Sequence, residues 1–449
     1  MISNSQRNNH VTLPWLSTAM LGLGIASTLL LVYASLVPLQ YTPLSWRESV
    51  DRWEAIRWLE LGVGNRADWI ANALVVIPSA FFLSGAVDYG RMTRWTFFLA
   101  SPLILLSLGA IVLGIELVQV WFPPRTVSQN DIFAGWVGVV AGLTAWSFAG
   151  RWMAAALETF VSLGSIPERI RWIAGALCLA SVAYTLYPLD FIVSGNEFQE
   201  KVAIGRIRWS FDIRVLASLS GLKSIVLSVG KLFPFGVWFG LNQRNRFPWF
   251  ILLVLAIVLE AIQIPIFSKF ATEWDVIASV AGGWMGWFAA KYYPVWCRWL
   301  NHSWIWSVAS ALWSIVLVAL FNARFSHILD DQTEIAKRWQ DFFTPPLLRY
   351  YYTSEYSALS NLAGKLGVFG TLGILVAFTG WVSCGLCTRI RFWLGLLWAV
   401  GLGALIEIMQ VYLPPMIADA SDIGIYAIGF ATGYIVLAIV MGRPDGGST

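Results

Sequence analysis

The 449 residues are 57% hydrophobic and 15% aromatic, with only 12% charged and a mean hydropathy of +0.66. That is about half the charge of an ordinary soluble domain, which excludes a soluble enzyme. A formal net charge of +4 with no basic run excludes a nucleic-acid binder, and four scattered cysteines (Cys178, Cys297, Cys384, Cys387) exclude a disulfide framework.

Long apolar runs broken by charge predict an all-α polytopic membrane protein with about 12 transmembrane helices. They lie near 13–38, 69–87, 95–120, 132–149, 172–189, 224–241, 247–266, 276–293, 303–322, 358–384, 392–413 and 423–441. The first run follows the polar stretch Met1–His10, exceeds a signal-peptide core and lacks a small-residue cleavage site, so it reads as a retained helix. Prolines near span ends (Pro38, Pro188, Pro265, Pro414) fit helix termination. An even number of spans puts both termini on one side. The termini and the connections after even-numbered spans carry thirteen basic against four acidic residues, including Arg94, Arg151, Arg169 and Arg391. Positive connections stay inside, so the reading is a plasma (inner) membrane protein, multi-pass, with both termini cytoplasmic. The longer loops near 39–68, 190–223 and 323–357 then lie outside. Their tryptophans and tyrosines, among them Trp46, Trp58, Trp69 and Tyr350–Tyr352, fit rings at headgroup level.

One spacing is written three times. Glu116, Gln119, Asp131, Gly138 and Gly142 recur as Glu260, Gln263, Asp275, Gly282, Gly286 and as Glu407, Gln410, Asp422, Gly429, Gly433. Proline accompanies each copy at Pro123 and Pro124, at Pro265, and at Pro414 and Pro415. Five matched positions in so uncharged a chain mark an internal repeat. The boundaries read as 1–157, 158–298 and 299–449, three parallel four-helix repeats called here blocks one, two and three. Other parts match more loosely. Tyr33–Leu39 resembles Tyr184–Leu189, and the string Gly230-Lys231-Leu232 through Gly236 resembles Gly364-Lys365-Leu366 through Gly370.

These residues resemble the VanZ-like family of polytopic membrane proteins. There the third helix closes on E-x2-Q before prolines and arginine, and an aspartate opens the fourth. Block one matches best, with Asp68, Asn72 and Pro78, then Glu116, Gln119, Arg125 and Asp131. Where the family usually has asparagine four residues after that aspartate, this chain has Gly135, Ser279 and Tyr426. The resemblance covers nearly the whole chain. It implies an integral protein of the cell envelope, from a family linked to glycopeptide (teicoplanin) resistance, and supplies no biochemical mechanism.

Glutamate and glutamine three apart share one helix face. Roughly 33 Å beyond Arg94, Glu116 falls near the outer boundary. Each aspartate sits at a helix start, where it suits an N-cap role, and the glycine pairs suit close helix packing. The glutamines suit structural ties between helices. The glutamates sit near helix C-termini, where the dipole opposes them, and an acidic group at membrane depth is a functional candidate. Arg125 could partner Glu116 and Lys269 could partner Glu260, with Lys231 and Lys365 as alternatives in blocks two and three. Cys384-x2-Cys387 reads as interface packing. Three unclustered histidines do not form a zinc site, and no cofactor motif occurs.

The favoured reading is a non-enzymatic envelope protein binding an amphiphile at the outer leaflet through these Glu/Gln/Asp clusters. Its partners would be membrane lipids or lipid-linked glycans, or a lipoglycopeptide, and other envelope proteins. A transporter or flippase using Glu/Lys pairs is one alternative. An intramembrane acid/base enzyme using Glu116 and Asp131 is another, although no nucleophile accompanies them.

Overall fold

The computed structural model describes residues 14–56, 58, 63–89, 95–122, 125, 127–163, 165–208, 219–242, 248–295, 301–353, 355–382 and 388–441. The polar start, Arg94, Pro123, Pro124, Cys297, Cys384 and Cys387 lie outside the described residues. The chain is helical apart from one two-residue parallel pairing of β1 (Ile207–Arg208) with β2 (Ala271–Thr272). Nine helices among the described residues are long and apolar enough to cross a membrane, so the protein is a multi-pass helical membrane protein.

Block one holds α1 (Pro14–Leu36), the short α2 (Trp46–Glu54), α3 (Val63–Asp88), α4 (Trp95–Gln119), α5 (Gln129–Ala145) and α6 (Arg151–Ser162). Block two holds α7 (Ile166–Leu186), the short α8 (Gly195–Ala203), α9 (Leu219–Asn242), α10 (Trp249–Gln263) and α11 (Glu273–Lys291). Block three holds α12 (Ser303–Asn322), α13 (Gln332–Phe342), the single turn α14 (Leu348–Tyr351), α15 (Glu355–Val382), α16 (Thr388–Tyr412) and α17 (Ala420–Met441). A helix lies at every predicted span. Three of them fall short of the length or apolarity for a crossing by themselves: α7 opens with Glu168, Arg169 and Arg171, α10 has 15 residues, and α11 carries Glu273, Asp275 and Lys291.

The described residues divide into two compact units. The first draws on Met1–Gly164 with Tyr187–Gln199 and Pro265–Ser268, the second on Ser165–Leu186, Glu200–Ile264 and Lys269–Thr449. In the first, α3 packs on α1 and α5, and α4 packs on α5, around Leu31, Val76, Ala80, Leu108, Val112 and Val139. A π-helical turn, Trp146–Gly150, joins α5 to α6. Asp88 seats it, accepting from the buried Trp146 indole (3.0 Å) and from Arg151 (2.8 Å). The second unit packs α9 on α7 and α11, around Leu232, Ala256 and Leu259. It also packs α15 on α12 and α17, around Leu317, Phe369, Ile406 and Phe430.

Large apolar side chains line the outside. Leu99 is 78% exposed and Leu397 69%, each with leucines one or two turns away (Leu103 and Leu106, Leu394 and Leu405). Water would penalise such faces, whereas acyl chains accept them. Close packing inside depends on small residues. A Cβ on Gly138 would overlap the Ala73 carbonyl oxygen, one on Gly282 that of Val229, and one on Gly433 that of Gly370.

The first helices of blocks one and two end alike. Pro38 and Pro188 follow cis bonds, and Leu39 (φ 61°) and Leu189 (φ 69°) then take left-handed backbone. Short helices follow in the next loops. A capping box opens α2, with the Ser45 hydroxyl receiving the Glu48 amide and Glu48 receiving the Ser45 amide (2.8 Å). These bonds hold the Glu48 carboxyl below its ordinary range.

Candidate functional site

In each block the end of the third helix carries the glutamate, and the start of the fourth carries an aspartate that bonds the second helix. Glu116, Glu260 and Glu407 are 7%, 2% and 0% exposed. None faces acyl chains, and each has polar company.

The aspartates are not the caps the sequence suggested. Ser128 and Thr272, three residues earlier, cap α5 and α11, receiving the amides of Asp131 (3.1 Å) and Asp275 (3.2 Å). The same hydroxyls donate to the carboxylates of Asp131 (2.6 Å) and Asp275 (2.7 Å). In block three Asp419 takes that place, receiving the Ser421 amide (2.8 Å) and hydroxyl (2.7 Å). The cap thus frees the aspartate three positions on to reach sideways to the second helix.

What it meets there follows from the glycine register. Gly138, Gly282 and Gly429 lie against the carbonyls of Ala73, Val229 and Leu366, so Asn72, Ser228 and Lys365 occupy one structural position. All three bond the aspartate. Asn72 donates to Asp131 (2.7 Å), Ser228 and Ser224 (3.1 Å) donate to Asp275, and Lys365 donates to Asp422. The matching of Lys231 with Lys365 suggested by their shared string is therefore three residues out of step. Three residues is about one helical turn, so both ammonium groups face the cluster but reach different acids. Lys231 pairs with Glu260 (2.7 Å), whereas Lys365 pairs with Asp422 rather than Glu407. Lys269 does not partner Glu260 either; it donates to the Tyr184 carbonyl (2.9 Å) and lies 4.3 Å from that ring.

The three glutamates end differently. In block three the Tyr426 hydroxyl donates to Glu407 Oε1 (2.6 Å) and the Asp419 amide to Oε2 (2.9 Å). Phe369, stacked at 4.1 Å, holds the tyrosine ring in place. Tyr350, on α14, donates to Asp422 (2.8 Å) and receives Lys365 (3.0 Å). Burial, and then the adjacent Asp422, push this phenol well above its ordinary range, so it stays protonated and donating. In block two one oxygen of Glu260 meets Lys231, while Oε2 has no hydrogen-bond partner among the described residues. In block one the Ser128 amide bonds Glu116, and Arg125 and Asp131 lie within electrostatic range. Glu116 Oε2 and Gln119 Oε1 are buried and have no hydrogen-bond partner among the described residues. Asp68 is exposed one turn before Asn72, within electrostatic range of Asp131.

The glutamine nitrogens act as ties. Gln119 donates to Ser35 (2.8 Å) and Gln410 to Phe321 (3.2 Å), last-turn carbonyls of the first helices, whereas Gln263 donates only within its own helix (3.2 Å to Leu259). Sequence reasoning missed two basic residues. Lys201, fully buried on α8, donates to the carbonyls of Gln263 and Ile264 (both 2.9 Å). Arg338, on α13, donates to those of Gln410 (2.8 Å) and Met416. Each is the seventh residue of its short helix and satisfies carbonyls at the end of the third helix. Arg52 holds the seventh place of α2 but is exposed, and bonds no carbonyl among the described residues. Each of these loops holds several basic residues, so the sequence did not single out the one that bonds. Among the described residues no group of three or more His, Cys, Asp or Glu is placed to hold a metal ion.

Comparison with known proteins adds no name to this geometry: no family model, no curated protein and no solved structure matches the chain.

Proposed function

We propose that the chain is a VanZ-like protein of the cell envelope, made of three copies of one four-helix unit that cross the plasma membrane twelve times. Both termini are cytoplasmic in this reading. The copies bring Glu/Gln/Asp clusters to the outer leaflet, where the block-one cluster binds the head of an amphiphile: a lipid, a lipid-linked glycan or a lipoglycopeptide. The recurring spacing supports the triplication, as does the matching bond from second helix to aspartate. The excess of arginine on one set of connections supports the orientation.

One observation carries the binding role. Block one buries two acceptor oxygens, on Glu116 and Gln119, without donors among the described residues, whereas block three supplies both donors to Glu407. A buried acceptor without a donor costs about 1–3 kcal/mol, so an incoming head rich in N–H or O–H groups recovers that cost. Native mass spectrometry of protein extracted gently from its own membranes tests this. The wild type should carry an amphiphile that Glu116→Gln and Gln119→Leu both lose. Identical adducts on all three proteins would end the reading.

A carrier reading rests on the buried Lys231–Glu260 pair, which could exchange a proton. Proton uptake into proteoliposomes that disappears in Lys231→Met would favour it.

A further inference from the structure

The block-one cluster is built from acceptors, and its charge and its aromatic rim point the same way. We infer that it recognises a primary ammonium group, so that the bound amphiphile carries an amine in its head. This deepens the binding reading above and rests on it.

The atoms left over decide the ligand's polarity. Gln119 Oε1 accepts and cannot donate, and Glu116 Oε2 accepts whenever its carboxyl is ionised, the state that a bound cation favours. Asp131 takes one donor on each oxygen, from Asn72 and Ser128, and a carboxylate has room for about four. Asp68 adds an exposed carboxylate one turn away. Among the described residues, Asp131 lies within electrostatic range of both Asp68 and Glu116, and Arg125 is the one guanidinium in range of Glu116. Arg66, the other cation on this stretch of α3, is paired with Glu197 at 2.9 Å. A phosphate or carboxylate head would meet net repulsion there, and a neutral polyol would gain nothing from the charge. An ammonium offers three N–H donors and a positive charge together.

The rim is aromatic. Phe133, two residues beyond Asp131, has its ring 6.4 Å from Trp58 and 6.1 Å from Trp69, the neighbour of Asp68. Trp58 and Phe133 are 63% and 54% exposed. The Gln129 side chain donates to the Ile56 carbonyl (3.0 Å), holding the segment that carries Trp58 against the start of α5. Ring faces beside carboxylates attract a cation, by about 0.5–2 kcal/mol per contact. Buried acceptors, an excess of negative charge and a π-rich edge converge on one ligand chemistry.

The test uses the full-length protein in detergent, with phosphatidylethanolamine, phosphatidylglycerol and a digalactosyl diacylglycerol of matched acyl chains added in turn and retention read by native mass spectrometry. The expected result is about tenfold preference for phosphatidylethanolamine, reduced several-fold by Asp68→Asn and by Trp58→Ala. Both substitutions are at the surface, and unchanged elution on gel filtration checks their folding. Thr432→Ala, on the exposed face of α17, should bind as the wild type does. If phosphatidylglycerol or the glycolipid is retained instead, in a manner abolished by Glu116→Gln, the ammonium inference is overturned while the binding reading stands. If no probe shows retention that depends on Glu116, both are overturned.

Discussion

Blocks one and three place the same acids on the same helices and finish them in opposite ways. Each lends its glutamate a loop amide, from Ser128 or from Asp419. Four residues after the aspartate, however, block one has Gly135 and block three Tyr426. The phenol supplies internally the donor that block one lacks, and Tyr350 and Lys365 complete the arrangement around Asp422. Block two stands between, with Lys231 serving one oxygen of Glu260. A single side chain therefore separates a glutamate with a donor on each oxygen from one with an oxygen to spare. In the proposed reading, that difference leaves block one free to hold a ligand while block three is structural.

The largest expected effect tests whether block two is structural as well. Lys231→Met leaves Glu260 buried without its cation and should cost about 3–5 kcal/mol, whereas Lys231→Met with Glu260→Leu should recover most of it. Thermal unfolding in detergent reads both, and a single variant as stable as the wild type would remove the pair from the account. Next comes the contrast between Glu407 and Glu116. Tyr426→Phe strips a donor from Glu407 and should lose about 1–3 kcal/mol, while Glu116→Gln, where one oxygen already lacks a donor, should change stability by less than about 1 kcal/mol. Equal losses would erase the distinction. A comparable effect separates the short helices α2 and α8. Lys201→Met abandons two carbonyls and should cost about 1–3 kcal/mol, against under about 0.5 kcal/mol for Arg52→Met. Acid gives the smallest. The Asp331 carboxyl, bonded by the Thr333 hydroxyl and amide, sits below its ordinary range in the folded chain. Its contribution is therefore present above the unfolded value and fades as pH falls through the folded one. Amide exchange at the start of α13 should rise below about pH 4.

Much of this was legible because charge is rare here. Glu116, Gln119 and Asp131 stand out in an apolar text, and their spacing alone located the third and fourth helices of each block. Register was harder. The shared string around Lys231 and Lys365 misaligned the second helices, because depth in the bundle is set by which carbonyl a glycine touches. The donors to the acids also stayed hidden. Asn72 was marked by the resemblance, but Ser224 and Ser228 are ordinary residues for such helices, and Tyr350 and Tyr426 are two among fourteen tyrosines. The sequence marked Tyr426 as a departure from the family pattern, but only the fold shows what it bonds. Lys201 and Arg338 sat in loops read as surface, where a cation attracts no notice.

The shortness of α10 bears on how the protein is made. Its 15 residues rise only about 22 Å, against a hydrocarbon layer of about 30 Å. In the proposed topology such a segment is a weak stop for the insertion machinery, and its last carbonyls are capped only once Lys201 has reached them. Lipid offers those carbonyls no substitute. In that topology the segment is expected to enter as a hairpin with α9 or α11, its end held by a lysine from a loop synthesised earlier.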